Sequence, residues 1–313
     1  MTSPAVRVVH PKRADAHAPV LARLDRVRKT YGTTIALEDL SFEVHEGELV
    51  SVLGPNGAGK STAISLLLGL QRPERGTASL FGRSPPTLIE RQQIGVMMQE
   101  VVLPPDLKAR EHIDLASSYY PEPYELDELI KLTHLRSFSE KRYGDLSGGQ
   151  KRQVQFAMAI CGRPRVLFLD EPTVGLDVQA RAHMWSTIRA LRQQGCSIVL
   201  TTHYLEEAEA LADRVAVIAK GQLIVEGSVR EIRSRVSRKT ISCVTSLSPE
   251  LLGAWNGVQA VVVEDGRTKL TVVEAEPILR KLLTSDAHVE DLEIHRAGLA
   301  EAFLELTRDE EPS

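Results

Sequence analysis

A chain of 313 residues has room for one large domain, or for a large and a small one, and its 42% apolar and 26% charged residues are ordinary for a core-forming protein. Lys and Arg number 38 against 42 Asp and Glu, a net charge of −4 that argues against a general nucleic-acid binder, so no direct nucleic-acid partner is expected. The three cysteines, Cys161, Cys196 and Cys243, are too scattered for a zinc site or a disulfide framework, and no apolar run nears the roughly eighteen residues of a membrane span.

Residues 1–20 contain Pro4, Pro11 and Pro19, show no periodicity and lack the apolar segment of a signal peptide; a flexible tail is expected. From about residue 21 to 236, strands, turns and helices alternate. "IALEDLSFEVHEGELVSVLG" reads as antiparallel strands feeding a buried strand over Leu49–Leu53. "KSTAISLLLGL" reads as a helix stopped by Gly69 and Pro73, "GTASLFG" and "IGVMMQE" as strands. Residues from about 100 to 145 read as a mostly helical subdomain. A helix from about Gly148 to Cys161 follows, then the strand "RVLFLD", the helix "VQARAHMWSTIRALRQQG" and the strand "SIVLTTH". The helix "YLEEAEALA", the strand "RVAVIAKG" and the hairpin partner "QLIVEGS" complete the unit. Apolar strands alternating with helices predict an α/β core on a largely parallel sheet.

The pattern changes from about residue 237 to 313, where a small α+β unit is expected. "KTISCVTSL" and "VQAVVVEDGRTKLTVVE" read as strands, the latter folded at Asp265-Gly266, and Val261, Val263, Leu270 and Val272 read as core. "AEPILRKLLTSD" reads as a helix, "VEDLEIHR" as a strand and "LAEAFLELTR" as a last helix.

The chemistry sits in three stretches. "GPNGAGKST" spans Gly54, Pro55, Asn56, Gly57, Ala58, Gly59, Lys60, Ser61 and Thr62 and satisfies G-x-x-x-x-G-K-[ST] between an apolar strand and a helix. Its glycines let backbone N–H groups converge on phosphates, and the helix adds its own unpaired N–H groups. Lys60 would reach the β and γ phosphates and Ser61 would hold Mg²⁺. "VLFLDE" is an apolar strand ending in Asp170 and Glu171, carboxylates that are costly there without a partner or a role. Asp170 suits Mg²⁺, directly or through water, and Glu171 suits a base or an orienter of attacking water. Gln99, after "IGVMM", could contact metal and water, and His203, after "SIVLTT", could bond a γ phosphate. Alone, His203 reads as readily as a cap of the next helix and Gln99 more readily as a solvated strand end; together with the loop they describe a nucleoside triphosphatase. In "LSGGQ", Ser147 and Gly148 would open a helix with free N–H groups, a second anion-facing element with no lysine of its own.

These stretches together resemble the ATP-binding cassette (ABC) ATPases. "GPNGAGKST" is similar to their Walker A, "VLFLDE" to their Walker B, and Ser147, Gly148, Gly149 and Gln150 of "LSGGQ" to their signature. "VGLD", ending in Asp177, is similar to their D-loop, Gln99 to the Q-loop glutamine, His203 to the switch histidine and Tyr31 to the aromatic that stacks on adenine. The resemblance implies a P-loop cassette with an antiparallel β-subdomain and a helical subdomain, using ATP and Mg²⁺. It implies an ATP-dependent homodimer in which each signature meets the γ phosphate on the opposite copy. "IHRAGLAEAFLELTRDEE" resembles the C-terminal end of bacterial drug-resistance and ABC-2-type exporter ATPases, which implies a separate integral membrane permease and a cytoplasmic place against the membrane's inner face. A soluble ABC ATPase acting on nucleic acid or the ribosome, and a nucleotide-gated scaffold, are the alternatives.

Overall fold

The computed structural model describes residues 18–235, 239–296 and 299. The expected tail falls almost wholly outside this range, and the expected last helix lies outside it apart from Leu299. The chain divides into two compact units between Val229 and Arg230.

The first unit opens with β1 (Val20–Tyr31) and β2 (Thr34–His45), an antiparallel pair closed by Gly32 at positive φ. Next come β3 (Leu49–Leu53), α1 (Lys60–Leu67), β4 (Arg75–Leu80), α2 (Leu88–Arg91) and β5 (Ile94–Met97). β4 joins β1 to make a three-stranded antiparallel sheet in the order β2-β1-β4.

Between residues 100 and 145 the helical segments are α3 (Ala109–Ser117), α4 (Leu126–Leu132) and a 3-10 turn over Tyr143–Asp145, less than the mostly helical reading of this stretch. Pro104 and Pro105 precede the first helix, and Pro121 and Pro123 separate the two; proline lacks the N–H and blocks the preceding turn, so the chain loops there. α5 (Gly148–Ile160) leads into β6 (Val166–Asp170), followed by α6 (Val178–Gln193), β7 (Ser197–Thr202), α7 (Leu205–Leu211), β8 (Arg214–Ala219) and β9 (Gln222–Gly227).

The central sheet runs β5-β6-β7-β3-β8-β9, parallel except for β9. Every residue of β3, β6 and β7 is buried, the mark of a sheet covered on both faces. Alternate side chains supply two cores. Val50, Val52, Val166, Phe168 and Val199 pack with α1 and the antiparallel sheet. Leu49, Leu167, Leu169, Ile198 and Leu200 pack with Val154 and Ile160 of α5 and Ile188 and Leu191 of α6. The parallel strands therefore deliver the residues after β3, β5, β6 and β7 to one edge of the sheet.

Helix α8 (Val229–Arg235) spans the division. The second unit then contains β10 (Lys239–Val244), α9 (Pro249–Gly253), β11 (Val258–Glu264), β12 (Arg267–Val272), α10 (Ala275–Ser285) and β13 (Glu290–Arg296). Its antiparallel sheet runs β11-β12-β10-β13. Asp265 and Gly266 both take positive φ, 51° and 77°, which gives the tight turn between β11 and β12 the twist of its strands. Ile241, Cys243, Leu252, Trp255, Leu270, Val272, Ile278 and Leu282 form the core. Val263 does not belong to it. β11 is the edge strand of this sheet; its Val261 packs against the core only half-buried, and Val263 is 51% exposed.

Candidate active site

The loop after β3 is shaped by two contacts. Gly59 takes φ 104°, and a Cβ there would lie 2.5 Å from the Ala36 carbonyl and 2.6 Å from Leu37 Cδ2. A Cβ on Gly54 would lie 2.3 Å from the Ile218 carbonyl. Only glycine therefore lets Gly54–Thr62 pass between β2 and β8. The Gly221 amide donates to the Ala58 carbonyl at 3.1 Å and pins the loop's far side. Pro55, Asn56 and Gly57 are exposed at the tip, and Ser61 and Thr62 are half-buried in the first turn of α1, where no N–H has a partner within the helix.

Lys60 is buried, and its Nζ donates to the carbonyls of Gly54 at 2.8 Å and Pro55 at 3.1 Å. Nζ also stands 3.9 Å from Glu171 Oε1. Burial pushes its pKa down, and Glu171 and Asp170 oppose that shift.

Asp170 and Thr201 are register partners on β6 and β7, and Thr201 Oγ1 donates to Asp170 Oδ1. The other oxygen, Oδ2, is buried without a hydrogen-bond partner. Glu171 takes φ 50°, a left-handed conformation that costs a non-glycine residue about 1 kcal/mol or more. Its N–H is held at 3.1 Å by both the carbonyl and Oγ1 of Thr201, and its carboxylate lies 3.3 Å from His203 Nδ1. Lys60, Asp170, Glu171 and His203, sought from separate stretches, thus share one sheet edge.

Gln99 follows β5 on the same edge, with an exposed side chain and a main-chain carbonyl that accepts from Arg152 at 2.9 Å. Tyr31 ends β1 as an exposed residue, and its hydroxyl donates to Gln71 Oε1 at 2.6 Å. Asp177 caps α6 by accepting from the Ala180 amide at 2.8 Å.

Ser147 caps α5 and forms a reciprocal box with Gln150, 3.2 Å and 3.0 Å. A Cβ on Gly149 would sit 3.2 Å from the Gly175 carbonyl, so the signature stretch and the "VGLD" loop are in contact. A Cβ on Gly148 would meet nothing within 4 Å. Among the described residues, no hydrogen bond joins Ser147–Gln150 to the Lys60 loop.

Sequence reasoning missed three residues. Thr201 holds both members of the carboxylate pair. Arg152 of α5 donates to the main-chain carbonyls of Gln99 and Glu171. Glu207, four residues past His203, is buried with Oε1 accepting from Trp185 Nε1 at 2.8 Å, and burial raises its pKa. Apart from Gln155, which accepts from Arg152 three residues away, their partners lie 18 to 54 residues off in sequence, so no short motif marks them.

The sequence profile of the family described as ABC transporter matches residues 37–174. A Nod factor export ATP-binding protein I of Paraburkholderia xenovorans is 36% identical over 90% of this chain and 95% of its own length. The chain belongs to the ABC transporter ATP-binding proteins. A daunorubicin resistance ATP-binding protein of Streptomyces coeruleorubidus is 33% identical over 92% of this cassette protein and 96% of its own length. Among solved structures, a dimeric ATP-binding cassette in a post-hydrolysis state, bound to ADP and Pi, superposes with a TM-score of 0.61 at 27% identity. That likeness covers 66% of this chain and 98% of the other. This ABC protein is an ATP-binding, ATP-hydrolysing cassette subunit, homologous to exporter ATPase subunits. No helix among its described residues is long and apolar enough to cross a membrane.

Proposed function

We propose that this chain drives export: it dimerises around two ATP molecules and works against a separate integral membrane permease, peripheral on the cytoplasmic face. The observation that carries the reading is the edge cluster of Lys60, Asp170, Glu171 and His203, with one buried carboxylate oxygen left unpartnered.

The free oxygen, Asp170 Oδ2, fits a hard cation held through one carboxylate, the Ser61 hydroxyl and the phosphates, with Gln99 beside it. Mg²⁺ bound there would supply charge neutralisation of the β and γ phosphates. The N–H groups of Gly57–Thr62 cradle the phosphates, and Lys60 exchanges its two loop carbonyls for phosphate oxygens. Glu171 accepts a proton from, or orients, the attacking water, and His203 holds the γ phosphate while its ring stays against Glu171. Tyr31 stacks on adenine.

Gly148 supports the two-site arrangement. Among the described residues nothing lies within 4 Å of a Cβ there and its φ is not left-handed, so a glycine at this position suits a close approach from a second copy. In this reading Ser147, Gly148, Gly149 and Gln150 face the γ phosphate of the partner copy, and Asp177 lies at the same junction. The permease would dock on the stretch between Gln99 and Leu146. A groove of about 430 Å³ lined by Leu103, Leu107, Leu115, Tyr119 and Met158 lies there, and Val102 is 97% exposed.

The test is co-purification with a polytopic membrane protein from the native cells, followed by ATPase assays in vesicles. Vesicle transport that needs ATP and stops with Lys60→Ala supports the reading. Normal ATPase activity with no membrane partner, and with binding to ribosomes or DNA instead, would overturn it.

A further inference from the structure

Arg152 stands one turn beyond the glycines at the start of α5, and its guanidinium spans two loops. Nη1 donates to the main-chain carbonyls of Met98 at 3.1 Å and Gln99 at 2.9 Å, and to Gln155 Oε1 at 3.2 Å. Nη2 donates to the carbonyl of Asp170 at 3.1 Å and to that of Glu171. Gln155 is itself held by Tyr143, its Nε2 donating to the hydroxyl at 2.9 Å. Burial is the largest influence on this guanidinium and lowers its pKa, opposed by the charges of Asp170 and Glu171.

The clamp on Glu171 is two-sided. Thr201 of β7 holds its N–H, and Arg152 of α5 holds its carbonyl. A left-handed non-glycine residue persists only where its surroundings over-determine it, and these two elements supply that constraint. The same guanidinium fixes the carbonyl of Gln99, so helix α5 cannot shift without moving both loops. An ammonium in its place would lack the planar fork that reaches two loops at once.

We propose that Arg152 is a positioning residue that couples the Ser147–Gln150 end of α5 to Gln99 and Glu171 of the same chain. It rests on the two-site reading above. A nucleotide contact made by α5 across the dimer is passed through one side chain to the carboxylate that acts on the chain's own ATP. Arg152 touches neither nucleotide; it sets where Glu171 stands.

The experiment compares Arg152→Met, Arg152→Lys and Arg152→Ala with the wild-type chain, reading kcat, KM for ATP, the Hill coefficient and the melting temperature. Loss of the clamp lowers kcat by about tenfold or more while KM moves by less than about threefold, because the phosphate loop is untouched. The Hill coefficient falls toward one in Arg152→Met. Arg152→Lys stays low, and millimolar methylguanidinium restores turnover to Arg152→Ala, which a purely structural role would not show. Wild-type kcat in Arg152→Met overturns the proposal, as does a parallel loss of ATP affinity and kcat with no rescue. If Arg152→Met does not fold, Arg152→Lys with wild-type kcat and cooperativity overturns it equally. Glu171→Gln is run alongside: its turnover tests the site reading separately, so the two failures cannot be confused.

Discussion

Thr201→Val tests the carboxylate pair without disturbing its packing. Valine keeps the volume of threonine and suits a buried strand, so no cavity opens. What disappears is the hydroxyl that donates to Asp170 Oδ1 and accepts from the Glu171 amide. Asp170 and Thr201 are 1% and 0% exposed, so water does not replace the lost bonds. A hydrogen bond to a buried charge contributes about 1.5–3 kcal/mol and a neutral one about 0.5–1.5 kcal/mol. The Glu171 amide keeps the Thr201 carbonyl at 3.1 Å, which softens the second loss. The sum is about 2–4 kcal/mol, a fall in melting temperature of roughly 5–15 °C for a domain of this size. Turnover should fall as well, because Asp170 loses its donor among the described residues and Glu171 loses half of its amide support. Urea titration and scanning calorimetry measure the first effect, and a coupled ATPase assay the second. A variant that melts within about 1 °C of wild type and turns over normally would refute the reasoning.

Gly59→Ala should fold yet bind ATP roughly 10–100-fold more weakly, since Cβ meets the Ala36 carbonyl and strain of about 1–3 kcal/mol falls on the loop. Calorimetric affinity within about twofold of wild type would contradict the packing argument. Cys161, Cys196 and Cys243 are buried and free, and burial pushes the Cys196 thiol up to about 12. A thiol reagent at neutral pH should therefore label the denatured chain at all three and the native chain at none; rapid native labelling would contradict it. Asp286 accepts from Thr245 Oγ1 at 2.6 Å, the Ser246 amide at 2.8 Å and the His288 amide at 2.9 Å, which holds its carboxyl well below the ordinary value of 3.8. A depressed carboxylate stabilises fully above its unfolded value and loses that contribution only as pH falls through the folded one. Asp286→Asn should loosen the second unit at neutral pH and flatten its acid dependence below 3.8, followed by Trp255 fluorescence in a Trp185→Phe background; an unchanged acid profile would count against the assignment.

The candidate site was legible where a strand's apolar run stops at a polar residue. Asp170, Glu171, Gln99 and His203 each end or follow such a run, and a parallel sheet brings those ends to one edge. The phosphate loop was legible because close backbone passage demands glycine at fixed spacing. Arg152 and Thr201 were not, because their partners are carbonyls and a carboxylate brought near only by the sheet order. Periodicity placed Leu270 and Val272 on the right face but could not tell that β11 is an edge strand, so Val263 was misplaced. Prolines between residues 104 and 123 limited helix in a stretch whose composition suggested more of it.

The most direct test of the two-site account is light scattering of Glu171→Gln with and without Mg-ATP. This substitution keeps the side chain's size and removes its charge, so ATP should bind, persist and hold two copies together, doubling the mass. Adding Gly148→Leu should abolish that doubling while leaving single-chain nucleotide affinity intact, because a Cβ there meets nothing within 4 Å among the described residues of its own chain. A Glu171→Gln, Gly148→Leu chain that dimerises with ATP as readily as Glu171→Gln alone would contradict the account.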